Sequence, residues 1–565
     1  MGIFENRSLV SSDRLKRLLL FVLFLLSGLM LLVGCHEDQE EEVISSIYNE
    51  DDLKYEDSLK QYLRNTYPSV INKVSVTESS IEIVGNCVGE GHFYLGEIPP
   101  YLDVTKIDKA PYKVELTEAS FSIVLDRFIE REGVLYDRLL SKWAIFQMTD
   151  LADQLVSHAR HADEIWAYQH LSPITLTSKK GLGGLTANSF ISDLSLLGIS
   201  SATINVCITH FMHLTPKAGD IEHLYGGKTY YMDEEYLNNT LDKVLLEATK
   251  KRNISVAAII LIDPASRSVD TGIGELLQHP DYSEGTYTMP NMTTLESVNC
   301  YAAALDFLAR RYCRSDNRYG RISHWIMHNE VDGGLSWTNM GVKPVTMRMC
   351  YNIVRQYDEH AEVFASFSHS WTDISNVGWY TSKDIVDLLN TYSRVEGDFQ
   401  WAMAYHSYAQ SLFNPCTWLD PDATYSMDTK YITFKNLEVL NKWALSKENK
   451  YKGTVKRSVW LSEAGVNSPT YSDEDFQKQA AGFAYAWKKI NALEGIDGIQ
   501  WHNWFDHPGD GACLGLRKYL DATYNGEAKP VWYVYQKANT EEEDEYFEQF
   551  LSVIGISDWN IIEKF

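Results

Sequence analysis

The sequence predicts an α/β protein, a closed (β/α)8 TIM barrel preceded by a small β-sandwich-like domain. Beyond residue 160, short apolar segments alternate with longer amphipathic segments, which is typical of a parallel sheet covered by helices. Eight such units follow one another, and this number favours a closed barrel over an open sheet. Between residues 74 and 148, apolar and polar residues alternate with period two, which predicts short antiparallel strands.

Composition and charge narrow the class of protein. The chain has 565 residues, of which 45% are apolar, and a formal charge of −26. The apolar fraction excludes a wholly disordered chain, and the acidic charge argues against a nucleic-acid partner because phosphates would be repelled. We divide the chain into a lipoprotein signal peptide (1–34), an acidic tether (35–67), the β-sandwich-like domain (68–155), the barrel (160–540) and a C-terminal extension (541–565).

The N-terminus carries the pattern of an export signal. Three basic residues between positions 14 and 17 precede an apolar run over 18–34, as in signal peptides. The tetrapeptide LVGC, which ends at Cys35, resembles the lipobox of bacterial lipoproteins. That resemblance implies export and a lipid anchor to the membrane on Cys35, and the acidic residues that follow resemble a cell-surface export signal. An uncleaved membrane helix is the alternative interpretation.

The repeated units give the following predicted elements. The eight barrel strands are expected at 174–181, 202–208, 256–263, 322–330, 362–371, 399–408, 458–465 and 498–505. Amphipathic helices are expected at 233–253, from 293 onward, at 347–359 and at 474–490. Thr293 and Glu296 have capping-box spacing at the start of the second helix, and Gly226-Gly227 predicts a hairpin turn.

Polar and aromatic residues follow the predicted strands at their carboxyl ends, where barrels of this type carry their active sites. Two of them are carboxylates, Glu330 after the fourth strand and Glu463 after the seventh. Glycoside hydrolysis requires such a pair, because one carboxyl protonates the leaving oxygen and the other attacks the anomeric carbon or activates water. The candidate substrate-binding residues, whose rings and amides suit sugar stacking and hydrogen bonding, are His328, Asn329, His369, Trp371, His406, Tyr408, Trp501 and Trp504.

The spacing of these carboxylates resembles that of the clan A glycoside hydrolases. Asn329-Glu330 at the end of strand four and Glu463 at the end of strand seven match the clan's two carboxylate positions. The resemblance implies that Glu330 is the acid/base and Glu463 the nucleophile of a retaining glycosidase acting on a β-linked oligo- or polysaccharide. It also implies that Asn329 binds a sugar hydroxyl and that Trp501 forms the floor of the sugar site. The chain further resembles an uncharacterised bacterial family beside that clan.

Two other functions remain open at this stage. A non-catalytic glycan-binding lipoprotein on the same barrel would keep the aromatic residues without needing both carboxylates. A metal-dependent hydrolase would need His210, His213 and a carboxylate to converge. We expect no metal and no cofactor, because glycoside hydrolysis by a pair of carboxylates needs neither. The seven cysteines after Cys35 are scattered without a CxxC pair, which argues against a zinc site or a disulfide framework, and most are expected to be small buried hydrophobes.

Overall fold

The computed structural model describes residues 50–333, 344–373, 375 and 380–562. The predicted signal peptide, lipobox and anchor at Cys35 lie outside the described residues. The chain divides into two units, residues 1–57 and 58–565. The first element among the described residues is the helix Glu50–Arg64. Among the described residues, no helix is both long enough and apolar enough to cross a membrane.

The region before the barrel is rich in antiparallel strands, as predicted. One four-stranded sheet contains Glu164–Ile165, Val70–Val76, Ser80–Asn86 and Ser120–Asp126 in that order, and a second contains Tyr112–Leu116, Phe93–Ile98, Lys142–Gln147 and Gln154–Leu155. A hairpin of Phe128–Arg131 and Val134–Asp137 accompanies them. Alternate side chains of the two sheets, such as Val74, Ile83, Leu95 and Ile145, share one buried apolar core, which is the arrangement of a β-sandwich.

Eight parallel strands of the described chain close into a barrel, which confirms the predicted fold class. Its strands are Lys180–Leu182, Ser201–Cys207, Ser255–Leu261, His324–Met327, Glu362–Phe367, Trp401–Tyr405, Val459–Ala464 and Gly498–Trp501, numbered one to eight below. The ring closes where strand one pairs with strand eight, Gly181 opposite Gln500. Strand one begins at Lys180 and not near Ile174 as predicted, and the preceding Leu176 packs against the apolar residues inside the barrel.

Helices cover the outside of the barrel. They are Asp193–Leu196, Glu234–Leu237, Lys243–Leu245, Thr271–Leu277, Leu295–Tyr312, Pro344–Arg355, Ser382–Val395, Leu437–Leu445, Asp473–Ala492, Pro530–Lys537, Glu543–Phe547 and Leu551–Ile554. The predicted helix at 233–253 contains two π-helical turns, Asn238–Asp242 and Leu246–Lys250. The cap at Thr293 was predicted one residue early, because Thr294 accepts the hydrogen bond from Ser297 N–H while Thr293 bonds Asn291. The hairpin at Gly226-Gly227 is confirmed.

Candidate active site

The turn after strand four directs Glu330 into the barrel mouth. Strand four ends at Met327, and His328 and Glu330 then adopt φ of 67° and 41°, a left-handed conformation that is uncommon outside glycine. The Glu330 backbone N–H donates to Ser366 Oγ of strand five at 3.2 Å. The carboxylate that results from this turn lies 2.8 Å, Oε1 to Nδ1, from His406.

A β-bulge in strand seven positions Glu463. Leu461 pairs with Ile499 of strand eight, but the next pair is Ala464 with Trp501, so strand seven holds one extra residue. Leu461 and Ala464 both face the outer helices, and the extra residue leaves Ser462 and Glu463 between them. Bulges of this kind re-aim side chains beside active sites. Gly465 follows because a Cβ there would lie 2.1 Å from the His502 carbonyl oxygen.

Imidazole and phenol rings from strands six and eight connect the two carboxylates. The Tyr408 hydroxyl donates to Glu463 Oε1 at 2.9 Å. The centre of its ring lies 6.5 Å from that of His406, which holds Glu330, and 6.4 Å from that of His502. Glu330, Glu463 and the three rings therefore form one cluster at the carboxyl ends of strands four, six, seven and eight.

The cluster favours the ionised form of Glu463. Burial alone would raise the pKa of Glu463, but the imidazoles of His502 and His406 and the hydrogen bond from Tyr408 outweigh it and lower that pKa. The converse holds for the imidazoles. Burial opposes protonation of His406 and His502, yet the negative charge of Glu463 raises the pKa of both rings. Glu330 adds to this effect at His406, and Asp510 adds to it at His502.

Two further predicted residues, His369 and Asn329, follow strands five and four. His369 is half-buried and its ring lies 5.4 Å from that of Tyr431. Burial lowers the pKa of His369, and the negative charge of Glu330 partly opposes this effect. The His369 imidazole is therefore within electrostatic reach of the Glu330 carboxylate. The Oδ1 atom of Asn329 is buried and has no hydrogen-bond partner among the described residues, and its contact with a sugar hydroxyl stays a prediction.

Four of the predicted substrate contacts have side chains that are buried in the structure. Trp371, Trp501 and Trp504 are 0% exposed, so their rings offer no surface to a sugar. Trp501 lies between the inward positions 500 and 502 of strand eight and packs outward on Phe483 and Tyr535. His328 is 3% exposed, and the left-handed turn directs its Nε2 to the Tyr301 hydroxyl at 3.0 Å.

A second cluster joins the ends of strands two and three. One ligand atom from each of Cys207, His210 and Asp263 lies within 4.8 Å of the others. Hydrogen bonding to Cys207 and the charge of Asp263, against the effect of burial, raise the pKa of His210 to about 9. His213 lies outside the cluster, with its Nε2 3.3 Å from Lys217 Nζ, so His210 and His213 do not converge as the alternative of a metal-dependent hydrolase would need.

Several residues at the mouth were not predicted from the sequence. His502 was given no role, although its position two residues after the inward Gln500 predicts an inward side chain. Buried Asp332, two residues after Glu330, accepts from the Ser368 backbone and hydroxyl and gave no sequence signal. All seven described cysteines are free and five are buried, but Cys207 has polar partners that its spacing did not predict.

The fold and the site define a (β/α)8-barrel protein with two carboxylates and a set of imidazole rings at the carboxyl ends of its strands. The model of the family described as a Family of unknown function (DUF5722) matches residues 173–562. The chain therefore belongs to that family. No curated protein matches it.

Solved structures similar to the chain include carbohydrate-active proteins. A family 39 glycoside hydrolase from Bacteroides cellulosilyticus WH2 is 15% identical with a TM-score of 0.42, covering 84% of this chain and 83% of that one. A β-D-glucuronidase from Dictyoglomus thermophilum is 12% identical with a TM-score of 0.32, covering 83% and 68%. SrfJ from Salmonella typhimurium is 11% identical with a TM-score of 0.39, covering 68% and 80%.

Proposed function

We propose that the protein is a retaining glycoside hydrolase that cleaves a β-linked oligo- or polysaccharide. The observation that carries the proposal is the unlike environment of the two carboxylates. Glu463 accepts a hydrogen bond from Tyr408 at 2.9 Å and has a lowered pKa, which suits a nucleophile that must be ionised. Glu330 is held by His406 at 2.8 Å, a partner able to exchange protons with it as an acid/base residue must.

In the proposed reaction, Glu463 attacks the anomeric carbon while Glu330 donates its proton to the leaving oxygen. The bond to the leaving group breaks and a glycosyl-enzyme forms on Glu463. Water, deprotonated by Glu330, then releases the sugar with its original configuration. By its resemblance to the clan's Asn-Glu pair, Asn329 is proposed to bind a sugar hydroxyl beside the reacting carbon, and His369 is proposed to line the same pocket.

The test is turnover of a panel of aryl β-glycosides by the full protein and by Glu463→Ala. We expect the variant to lose turnover and to regain it when azide is added. The product from a β-glycoside should then be a glycosyl azide of inverted, α configuration. Glu362→Gln is the matched control, since Glu362 lies at the opposite, amino end of the barrel on strand five and should leave turnover intact.

Three results would change the proposal. Inverted product from the unmodified protein, read by NMR, would make Glu463 a general base in an inverting enzyme. A folded Glu463→Ala chain that azide does not rescue would remove Glu463 as the nucleophile. Glycan binding without any product would favour the non-catalytic glycan-binding protein.

We also propose that the protein is exported and lipid-anchored through Cys35 to the bacterial membrane. The support is the LVGC tetrapeptide after the apolar run. The intact mass of the membrane-extracted protein should lack residues 1–34 and carry a diacylglycerol thioether. An intact mass that retains the apolar run would favour the uncleaved membrane helix.

A further inference from the structure

The second cluster at the barrel mouth brings together three side chains of different chemistry. Cys207 is the last residue of strand two, and His210 ends the 3-10 turn Ile208–His210 directly after it. Asp263 follows the end of strand three, which pairs with strand two so that Cys207 lies opposite Leu261. The fold therefore presents a thiol, an imidazole and a carboxylate side by side, with one ligand atom of each within 4.8 Å of the others.

Neighbouring groups orient all three side chains. His210 Nε2 lies 3.0 Å from Asp263 Oδ2, and its other nitrogen, Nδ1, lies 3.4 Å from the Tyr236 hydroxyl. The Thr209 hydroxyl accepts from the Asp263 backbone N–H at 2.9 Å, which leaves its hydrogen free for Cys207 Sγ at 3.3 Å. A hydrogen bond to the outer nitrogen of a histidine and to a thiolate sulfur is what metal ligands receive from the groups around them.

We propose that Cys207, His210 and Asp263 bind a zinc ion. A thiolate, an imidazole and a carboxylate form a donor set that suits Zn²⁺, whereas Mg²⁺ and Ca²⁺ require oxygen donors. The proposed site includes His210 but not His213, and it departs from the sequence-based expectation that the chain binds no metal. Arg267, whose Nη2 lies 3.5 Å from Asp263 Oδ1, contacts the carboxylate oxygen that faces away from His210.

The site has three protein ligands and is open on one side. The side chain of His210 is 39% exposed while that of Asp263 is 11% exposed, so the fourth position of a tetrahedral ion is accessible to water or to a ligand oxygen. Tyr287 packs with Cys207 on the inner face of the barrel. Cys207 and Asp263 lie at the carboxyl ends of strands two and three, so the zinc site opens on the same mouth as the carboxylate pair.

The proposal is independent of the glycosidase reaction, because no step of that reaction passes through the metal. The test therefore measures metal binding directly. The full chain, purified without a histidine tag and stripped with a chelator, is titrated with ZnCl2 by calorimetry, and bound zinc is counted by elemental analysis after gel filtration. We expect one zinc per chain, and we expect Co²⁺ to give a sulfur-to-cobalt charge-transfer band.

Variants identify the ligands. Cys207→Ser and His210→Gln should lose stoichiometric binding, and Tyr236→Phe should weaken it about 10–100-fold through the outer hydrogen bond. Cys416→Ser is the matched control, since Cys416 is partly exposed and outside the cluster, and it should bind as the unmodified chain does. Because His210 is well exposed, His210→Gln keeps the test valid if Cys207→Ser fails to fold.

Three outcomes would overturn the proposal. The first is that the unmodified chain binds no stoichiometric zinc. The second is that folded Cys207→Ser and His210→Gln chains bind zinc as tightly as the control does. A cobalt spectrum without the sulfur band would exclude Cys207 as a ligand. Turnover of glycosides in any of these chains has no bearing on the result, so a failure of the zinc site and a failure of the glycosidase proposal are distinguishable.

Discussion

Replacing Tyr408 by Phe tests how the cluster keeps Glu463 ionised. The substitution removes one hydroxyl, which donates to Glu463 Oε1 at 2.9 Å, and leaves the ring in place. A hydrogen bond to a charged group contributes about 1.5–3 kcal/mol. Because this bond favours the ionised carboxylate, its loss raises the pKa of Glu463 and moves the acid limb of the pH profile to higher pH.

The magnitude follows from that free energy. Each 1.36 kcal/mol corresponds to a factor of ten, so kcat/KM on the acid side should fall by about 10- to 150-fold. On the neutral plateau, where Glu463 is ionised in both proteins, the loss should be much smaller. The assay is kcat/KM for an aryl glycoside from acidic to neutral pH, since this parameter reports ionisation of the free enzyme.

Tyr94→Phe is the matched control. Its hydroxyl donates to Asp153 at 2.8 Å inside the N-terminal sheet region, so the same chemical change occurs away from the barrel mouth. We expect Tyr94→Phe to lose some stability and to keep the pH profile. An equal loss at every pH in Tyr408→Phe, or an acid limb that does not move, would refute the electrostatic role of Tyr408.

Three further predictions concern the other carboxylates. Glu330→Ala should lower kcat by about 10²–10⁴-fold for sugar leaving groups and far less for activated aryl leaving groups, and equal losses for both would contradict the acid role. Burial and the charge of Glu330 raise the pKa of Asp332 to about 6. The stability that protonated Asp332 contributes is therefore present at low pH and is lost as pH rises through about 6. Thermal unfolding of Asp332→Asn should lack that decline. Lys529→Ala removes the counter-charge of Asp506, its fully buried partner at 2.8 Å. It should lower the free energy of unfolding, measured by denaturant titration, by about 3–5 kcal/mol. The control Lys73→Ala, which breaks an exposed ion pair, should change the free energy of unfolding little.

The order of strands and helices was predictable because it depends on local patterns. Apolar strands alternating with amphipathic helices give a parallel sheet in any chain of this kind, and the carboxyl ends of its strands must then meet at one mouth. Glu330, His406, Tyr408 and Glu463 could therefore be assigned to a common site from their positions after strands four, six and seven. The start of strand one at Lys180 was misplaced because an apolar lead-in such as Leu176 has the same local pattern as a strand.

The direction of each side chain was decided by the tertiary structure. Two local features change the alternation of inward and outward residues. They are the bulge in strand seven that positions Glu463 and the left-handed turn that directs His328 to Tyr301, and neither leaves a periodic signal in the sequence. The clan A resemblance assigned Trp501 to the floor of the sugar site, yet its ring lies on the outward side of strand eight. Cys207 and Asp263 are 56 positions apart in the chain and meet only because strands two and three are neighbours in the barrel. Sequence periodicity thus determined which strand ends form the site, while strand pairing and local backbone geometry determined which atoms meet there.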